Sequence, residues 1–562
     1  MAGPTQTEAQ AVPQEAVPQE AGRRLHPKTL VQRVAISLPG VLFILLPLLR
    51  SSRDGNAWFT LLFAAFYGLV ALPLIFLQYN RFRYWITPKE IVIRSGVLNT
   101  QHRSIPIERI QNIETEQSLL PRLLGTAKVK IVTAGSAGAE GVLEYVSLKE
   151  AQSIRQTVRA YQRRQDLASE AASDPALDVR ELDQAEEKQE PAVEALGSVA
   201  QEKETTLFAM SLQRALLSGA FRFSLLYIAL IFSAFQYLDI DPEYAADWLM
   251  GGRLERVTTL IETSPWLVGI ITVLTAASLS WITGILINVN KYYRFRLALQ
   301  EDKLYKKSGL LTVSEGTIPL GKVQALILRT NPLMRYFGWY ALELQTMGLN
   351  VEQRGYQVAA PFARLAEVLR VAQPIYPFAL PDTFTPVSKL MIRRTSLRYA
   401  VSLGVAVASI GIGAGFFVDG WFWRPVLWGL AALPLLVALA YAQWRRHAYA
   451  FDGRLLFIRS GVVGQYLWVL PVEKFQVLYA SQSIFQRRLG LKSLYIDTAG
   501  AGGLTYPEIM DVRADVADRV LETLHRYFQA FFDGSGTEER ENGGKEEDGV
   551  AEGEDWRTSG HA

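Results

Sequence analysis

The chain has 562 residues, a length that suits about three to five domains, with 49% hydrophobic and 20% charged residues and a net charge of +3. It has no cysteine and only five histidines, the scattered His26, His102, His447, His525 and His561. Disulfide frameworks, thiol nucleophiles and Cys-based zinc or iron–sulfur sites are thereby excluded.

In chain order, residues 1–30 contain the tandem Ala-Val-Pro-Gln-Glu at 11–15 and 16–20 and read as a disordered N-terminal segment. Residues 31–79 hold two apolar runs, 34–50 and 57–79, joined by a short polar turn. The same pairing recurs in residues 206–290, with runs at 217–238 and 266–289, and in residues 376–443, with runs at 399–418 and 421–443. Each run has about the 17–25 residues that cross a bilayer, so the pattern predicts six transmembrane helices in three hairpins. Between and after the hairpins lie polar segments 80–164, 291–375 and 444–532, an acidic linker 165–205 and an acidic tail 533–562.

Charge at the run ends predicts the orientation. Arg23, Arg24, Lys28 and Arg33 precede the first run, Arg81 and Arg83 follow the second, and Lys291, Arg294 and Arg296 follow the fourth. Arg393, Arg394 and Arg398 precede the fifth run, and Arg445 and Arg446 follow the sixth. The opposite connection, 239–265, is acidic. The positive-inside rule then puts both termini and all large polar segments in the cytoplasm.

The polar segments repeat. Windows 81–135, 294–348 and 446–500 align without a gap. Each opens on an arginine (Arg81, Arg294, Arg446) and reaches a basic-Ser-Gly-apolar turn at Arg94–Val97, Lys307–Leu310 and Arg459–Val462. Pro106, Pro319 and Pro471 follow, then Gln111, Gln324 and Gln476, then Arg122, Arg335 and Arg487 with Gly125, Gly338 and Gly490 three residues on. Period-2 alternation at Val129/Ile131, Leu342/Leu344 and Leu494/Ile496 predicts half-buried strands, and the Ser-Gly step predicts a tight hairpin needing φ > 0. Helical patterns at 147–163, 361–373 and 507–531 predict a terminal helix, with Pro361 and Pro507 in the first turn of the latter two. About seven strands and a closing helix predict a small barrel or sandwich.

The helix pair, the Ser-Gly hairpin, Ser104-Ile-Pro-Ile-Glu-Arg-Ile-Gln111 and Leu124-Gly125 together resemble the second type of bacterial pleckstrin-homology-like domain, and the threefold arrangement resembles the YdbT-like membrane protein family. The resemblance implies three pleckstrin-homology-like domains, a cell-membrane location and no established catalytic activity. It supplies no catalytic, cofactor or metal residues.

Other motifs point the same way. The Gly-rich stretches 133–138 and 498–503 lie between strand-like runs, with no Gly-Lys-Ser/Thr, and read as hairpin loops rather than phosphate cradles. The runs carry few ionisable groups, against a transport pathway, and Gly411-x-x-x-Gly415 suggests close helix packing. Arg81, Arg83, Arg294, Arg296, Arg445 and Arg446 form a basic collar that either grips anionic headgroups, at about 1 kcal/mol per charge, or only sets topology. Arg122, Arg335 and Arg487, placed within the copies, either pair with an internal carboxylate or bind a ligand. The expectation is a non-enzymatic membrane scaffold, without cofactor, that binds lipid headgroups, a companion membrane protein or other protein segments, and no nucleic acid. A small-molecule transporter or export component is the alternative.

Overall fold

The computed structural model describes residues 22–50, 62, 65–87, 89–97, 99–133, 139–173, 205–221, 264–347, 356–415, 423–499 and 507–532. Two compact units emerge, one of residues 1–111, 117–131 and 140–186, the other of the remainder.

In the first unit, α1 (Lys28–Arg50) and α2 (Leu72–Arg81) precede an antiparallel sheet of β1 (Arg83–Ile86), β2 (Glu90–Ser95) and β3 (Gln101–Pro106). Then come β4 (Ile110–Gln117), α3 (Leu119–Leu124), β5 (Thr126–Thr133) and β6 (Ala139–Ser147), in sheet order β6-β5-β4, and α4 (Leu148–Ser173). Arg23, ahead of α1, bridges Tyr84 of β1. The helix pair is therefore an insertion within the β-domain.

The second unit repeats this plan twice. In copy two, β7 (Thr205–Ala209) pairs with β8 (Arg296–Gln300) across the intervening α5 (Leu212–Ala220) and α6 (Pro265–Tyr292). β9 (Lys303–Ser308) and β10 (Val313–Pro319) extend that sheet; β11 (Val323–Thr330), α7 (Pro332–Tyr336), β12 (Trp339–Thr346), β13 (Tyr356–Arg364) and α8 (Leu365–Ala372) follow. In copy three, β14 (Thr385–Pro386) pairs with β15 (Ala448–Phe451) across α9 (Leu390–Gly415) and α10 (Trp423–Arg446). β16 (Leu455–Ser460), β17 (Gln465–Pro471), β18 (Phe475–Ser481), α11 (Ile484–Arg488), β19 (Leu491–Thr498), β20 (Glu508–Arg513) and α12 (Ala514–Phe532) complete it. Each of these two copies contributes four strands to one sheet and three to another, with a closing helix, the seven strands that the repeat predicts. The opening strands β7 and β14 are additions: they stand before their helix pairs, where the sequence reading has linker and hairpin.

Copies two and three are not separate sandwiches. β11 pairs antiparallel with β17, Leu326 opposite Val469 and Leu328 opposite Leu467, making one seven-stranded sheet β13-β12-β11-β17-β16-β15-β14. Successive side chains of a strand point to opposite faces, and both faces here are buried. Leu326, Leu328, Phe457 and Val469 belong to one core with Phe295, Leu342 and Phe362. Ala325, Ile327, Ile458 and Trp468 belong to another with Leu494, Ile496 and Leu524. The shared sheet is the wall between two cores, and joining β11 to β17 pairs backbone edges that would otherwise be exposed.

The Ser-Gly hairpins form as predicted. Gly96, Gly309 and Gly461 have φ of +106°, +119° and +88°, and a Cβ on each would lie 1.8–1.9 Å from the carbonyl oxygen of Asn99, Thr312 or Gly464. The two prolines are a correction. Pro361 lies inside β13, where the β12–β13 register shifts, so its missing N–H breaks no regular ladder bond. Pro507 precedes β20, its carbonyl accepting from Ile496 N at 3.2 Å. The helices begin later, at Leu365 and Ala514.

Among the described residues, three helices are long and apolar enough to cross a membrane: Val273–Tyr292, Leu390–Ile412 and Val426–Arg446. Their outward side chains, including Val273, Leu274, Val405 and Leu435, are exposed, which suits hydrocarbon as solvent. α1 covers the first expected run; parts of the runs at 57–79 and 217–238 lie outside the described residues. Close helix packing is seen at Gly219 and Gly429, and Gly411 of the expected pair is buried. A Cβ on Gly219 would meet Ile285 Cα at 2.7 Å and one on Gly429 would meet Val407 at 2.9 Å, whereas Gly404 has open space.

Candidate membrane-edge site

Each copy carries a short helix between its fourth and fifth aligned strands: α3 between β4 and β5, α7 between β11 and β12, and α11 between β18 and β19. Asn331 Oδ1 accepts from Met334 N at 2.7 Å to start α7, and Ser483 with Gln486 forms a reciprocal cap for α11. All three are followed by a left-handed glycine, Gly125, Gly338 or Gly490, whose N–H donates to the carbonyl of Arg122, Arg335 or Arg487 at 3.3, 2.9 and 3.2 Å. The Arg-x-x-Gly spacing is therefore a helix-ending turn. The three arginine side chains are exposed.

Beside them stand large apolar side chains facing outward: Leu119 and Leu123 on α3, Leu333, Tyr336 and Phe337 at α7, Ile484 and Phe485 on α11. Tyr336 is 83% exposed and Leu123 76%. Every short helix docks at one end of a helix pair in its own copy. Lys28 Nζ, on α1, donates to Leu124 O at 3.0 Å. Asn331 Nδ2 donates to Phe221 O at 3.3 Å, and Phe221 meets Phe337 edge-on with centroids 5.7 Å apart. Gln486 Nε2 donates to Asp511 Oδ1 at 2.8 Å, and Asp511 also pairs with Arg394 of α9.

The six collar arginines differ in their partners. Arg83 donates to Phe82 O at 3.4 Å; burial and nearby Arg24 hold its guanidinium below the usual arginine value. Arg296 donates to Thr206 Oγ1 at 2.9 Å, Arg294 lies over the Tyr293 ring at 5.5 Å, and Arg81 and Arg445 are exposed. Arg446 lines a cavity of about 190 Å³ between copies two and three.

That cavity also takes in Arg335 and Arg459, with Leu328, Leu365, Leu380 and Phe384 among its apolar walls. Arg335 Nη1 donates to Gln465 Oε1 at 3.3 Å, Arg459 Nε donates to Arg446 O at 3.3 Å, and Arg459 lies 4.9 Å from the Phe384 ring centre. Burial, then the nearby charge of Arg335, hold the Arg459 guanidinium below its usual value. In the sequence Arg459 stands only as part of the Ser-Gly turn; the signal that marks it is the basic residue recurring before each Ser-Gly.

Among the described residues no three His, Cys, Asp or Glu are placed to hold a metal ion. The Gly-rich loops at 134–138 and 500–506 lie outside the described residues; strands flank both.

A model for the bacterial PH domain matches residues 34–162, 256–378 and 400–528, three times over most of the chain. The chain belongs to the bacterial PH domain family. It is also similar to the "UPF0699 transmembrane protein YdbT" of Bacillus subtilis (strain 168), 26% identical over 478 residues, covering 81% of this chain and 89% of that relative. No solved structure matches. Membership accounts for the threefold repeat, and the relative with the apolar helices makes this a membrane protein carrying repeated bacterial PH domains.

Proposed function

We propose that this protein is a non-enzymatic, multi-pass cell-membrane scaffold, with six spans and with both termini and its three PH-like copies in the cytoplasm. It seats those copies on anionic lipid headgroups and offers their remaining surface to protein segments, in a role in envelope homeostasis. The observation that carries the reading is the threefold short helix. Exposed leucine, tyrosine, phenylalanine and isoleucine beside an exposed arginine are costly in water but suit the bilayer interface, where rings and methyls enter the acyl boundary and cations meet phosphates. Docking at the ends of the helix pairs supports the same placement.

The lack of cysteine gives a clean test. Leu123→Cys, Tyr336→Cys and Phe485→Cys, each labelled with a fluorophore in anionic vesicles, should be quenched by lipids carrying a nitroxide near the headgroup. Glu522→Cys, on the exposed face of α12, should not be. Quenching no greater at the three sites than at residue 522 would refute lipid seating.

A further inference from the structure

We infer that the cavity between copies two and three binds the phosphate group of an anionic amphiphile, with Arg335, Arg446 and Arg459 as its cationic wall. The inference rests on the reading that these copies face the membrane surface, and it assigns a particular ligand class to one place on that surface.

Comparison of the copies gives the first argument. Lys307 of copy two stands opposite Glu315 in the β9–β10 ladder and pairs with it at 2.7 Å. The aligned positions in copy three are Arg459 and Leu467, also opposite each other. Leucine replaces the carboxylate, so the third copy keeps the cation and loses its counter-charge. Among the described residues lining the cavity there is no Asp or Glu. What holds the guanidiniums instead is neutral: the Gln465 side-chain oxygen, the Arg446 carbonyl and the Phe384 ring.

The second argument is electrostatic. Arg459 is half-buried and close enough to Arg335 for each to oppose the other's charge. A half-buried cation beside a second, exposed one, both with neutral partners, is an incomplete arrangement, because charge-assisted pairs with phosphate are the strong interactions of arginine. A bound anion removes the mutual repulsion and fills the donor forks.

Shape and place choose the amphiphile. Leu328, Leu365, Leu380, Pro381, Phe384 and Leu467 give the cavity apolar walls, which suit the first carbons of an ester chain rather than a fully hydrated ion. Arg446 ends the candidate span Val426–Arg446, so a lipid headgroup is at hand. A volume of about 190 Å³ admits a phosphate ester but no folded protein segment.

The test uses the full chain in a neutral detergent, titrated with dihexanoyl phosphatidylglycerol, dihexanoyl phosphatidylcholine and inorganic phosphate. The phosphatidylglycerol should bind saturably. Arg335→Gln with Arg459→Gln should weaken it at least about tenfold, since each charged hydrogen bond lost is large, and Arg526→Gln, on the exposed face of α12, should leave it unchanged. Ser460→Phe, which fills the cavity and keeps every charge, should weaken binding as well and serves if the paired variant does not fold. Equal binding by Ser460→Phe and the wild type, or by phosphatidylcholine and phosphatidylglycerol, would overturn the site. Inorganic phosphate binding as tightly as the lipid would overturn the amphiphile and leave free phosphate as the ligand. Failure of the nitroxide quenching removes lipid seating of the short helices but not a saturable, arginine-dependent titration here, so the two readings fail separately.

Discussion

Gln345 Nε2 donates to Thr498 Oγ1 at 2.9 Å, a buried hydrogen bond between side chains 153 residues apart. Gln345 is the penultimate residue of β12 in copy two and Thr498 ends β19 of copy three, so the bond ties one copy to the next beside their shared sheet. Thr498→Val leaves the buried amide without this acceptor, which should cost about 1–3 kcal/mol. Gln345→Leu combined with Thr498→Val should cost less than the two single losses together, because the double variant leaves neither group unpaired. Denaturant unfolding of the four proteins checks this. Strictly additive losses would show that the bond does not couple the copies.

The Ser-Gly hairpin provides a sharper contrast. Gly461 has φ +88° and its added Cβ would sit 1.8 Å from the Gly464 carbonyl oxygen, backbone that cannot swing aside. Gly461→Ala should destabilise by several kcal/mol, since both the left-handed strain and the clash oppose it. Gly321 has nothing within 4 Å of its Cβ position and no positive φ, so Gly321→Ala should change stability by less than about 0.5 kcal/mol. Comparable melting temperatures for the two variants would mean the hairpin is not held as described.

Strand register can be tested in β19. Ile496 is 1% exposed inside a core, while the adjoining Asp497 is only half-buried. Ile496→Asp should cost several kcal/mol by burying an unpaired carboxylate, and Asp497→Asn should be nearly silent. Limited proteolysis reads both. The equivalent contrast in copy one is not available, because Lys130, next to Ile131, is itself buried.

That difference shows what the sequence conveys and what it does not. The repeat register located every hairpin glycine, and period-2 alternation located Ile131, Leu344 and Ile496, all buried. Alternation assumes one wet face, however, and Lys130 and Val132 are buried along with Val129 and Ile131 because β5 is covered on both sides. β7 and β14 were missed because they are five and two residues long and lie ahead of an apolar run. The pairing of β11 with β17 has no local signal at all, since each strand's pattern is satisfied by any apolar partner. Of the candidate site, Arg446 and Arg335 were legible as aligned arginines; their meeting with Arg459 depends on that pairing, and so did not show.

The proposed topology rests on the charge pattern and can be measured directly, again because no native cysteine interferes. Asp247→Cys, in the acidic connection between the third and fourth expected runs, should react with a membrane-impermeant thiol reagent in intact cells. Glu522→Cys should react only after permeabilisation. Labelling of residue 522 from outside would reverse the orientation.

His447 follows α10 directly, and its Nε2 accepts the Met510 amide hydrogen at 3.1 Å, fastening the helix end to β20. Burial lowers its pKa from 6.5 to about 4 in the folded protein, despite the opposing pull of Asp511 and of the hydrogen bond at Glu508. The unfolded chain protonates this imidazole near 6.5. Between those values the unfolded state binds more protons, so stability present above pH 6.5 is lost as pH falls toward 4, by up to about 3 kcal/mol. Glu508 works against this, since burial raises its carboxyl and the folded form then gains protons on acidification. His447→Gln retains an acceptor for the Met510 amide but does not titrate, so the difference between wild type and variant isolates the histidine. Thermal unfolding in detergent should show the wild type losing stability faster than His447→Gln as pH drops from 6.5 to 4, and parallel losses would show that His447 is already charged or reachable by water in the fold.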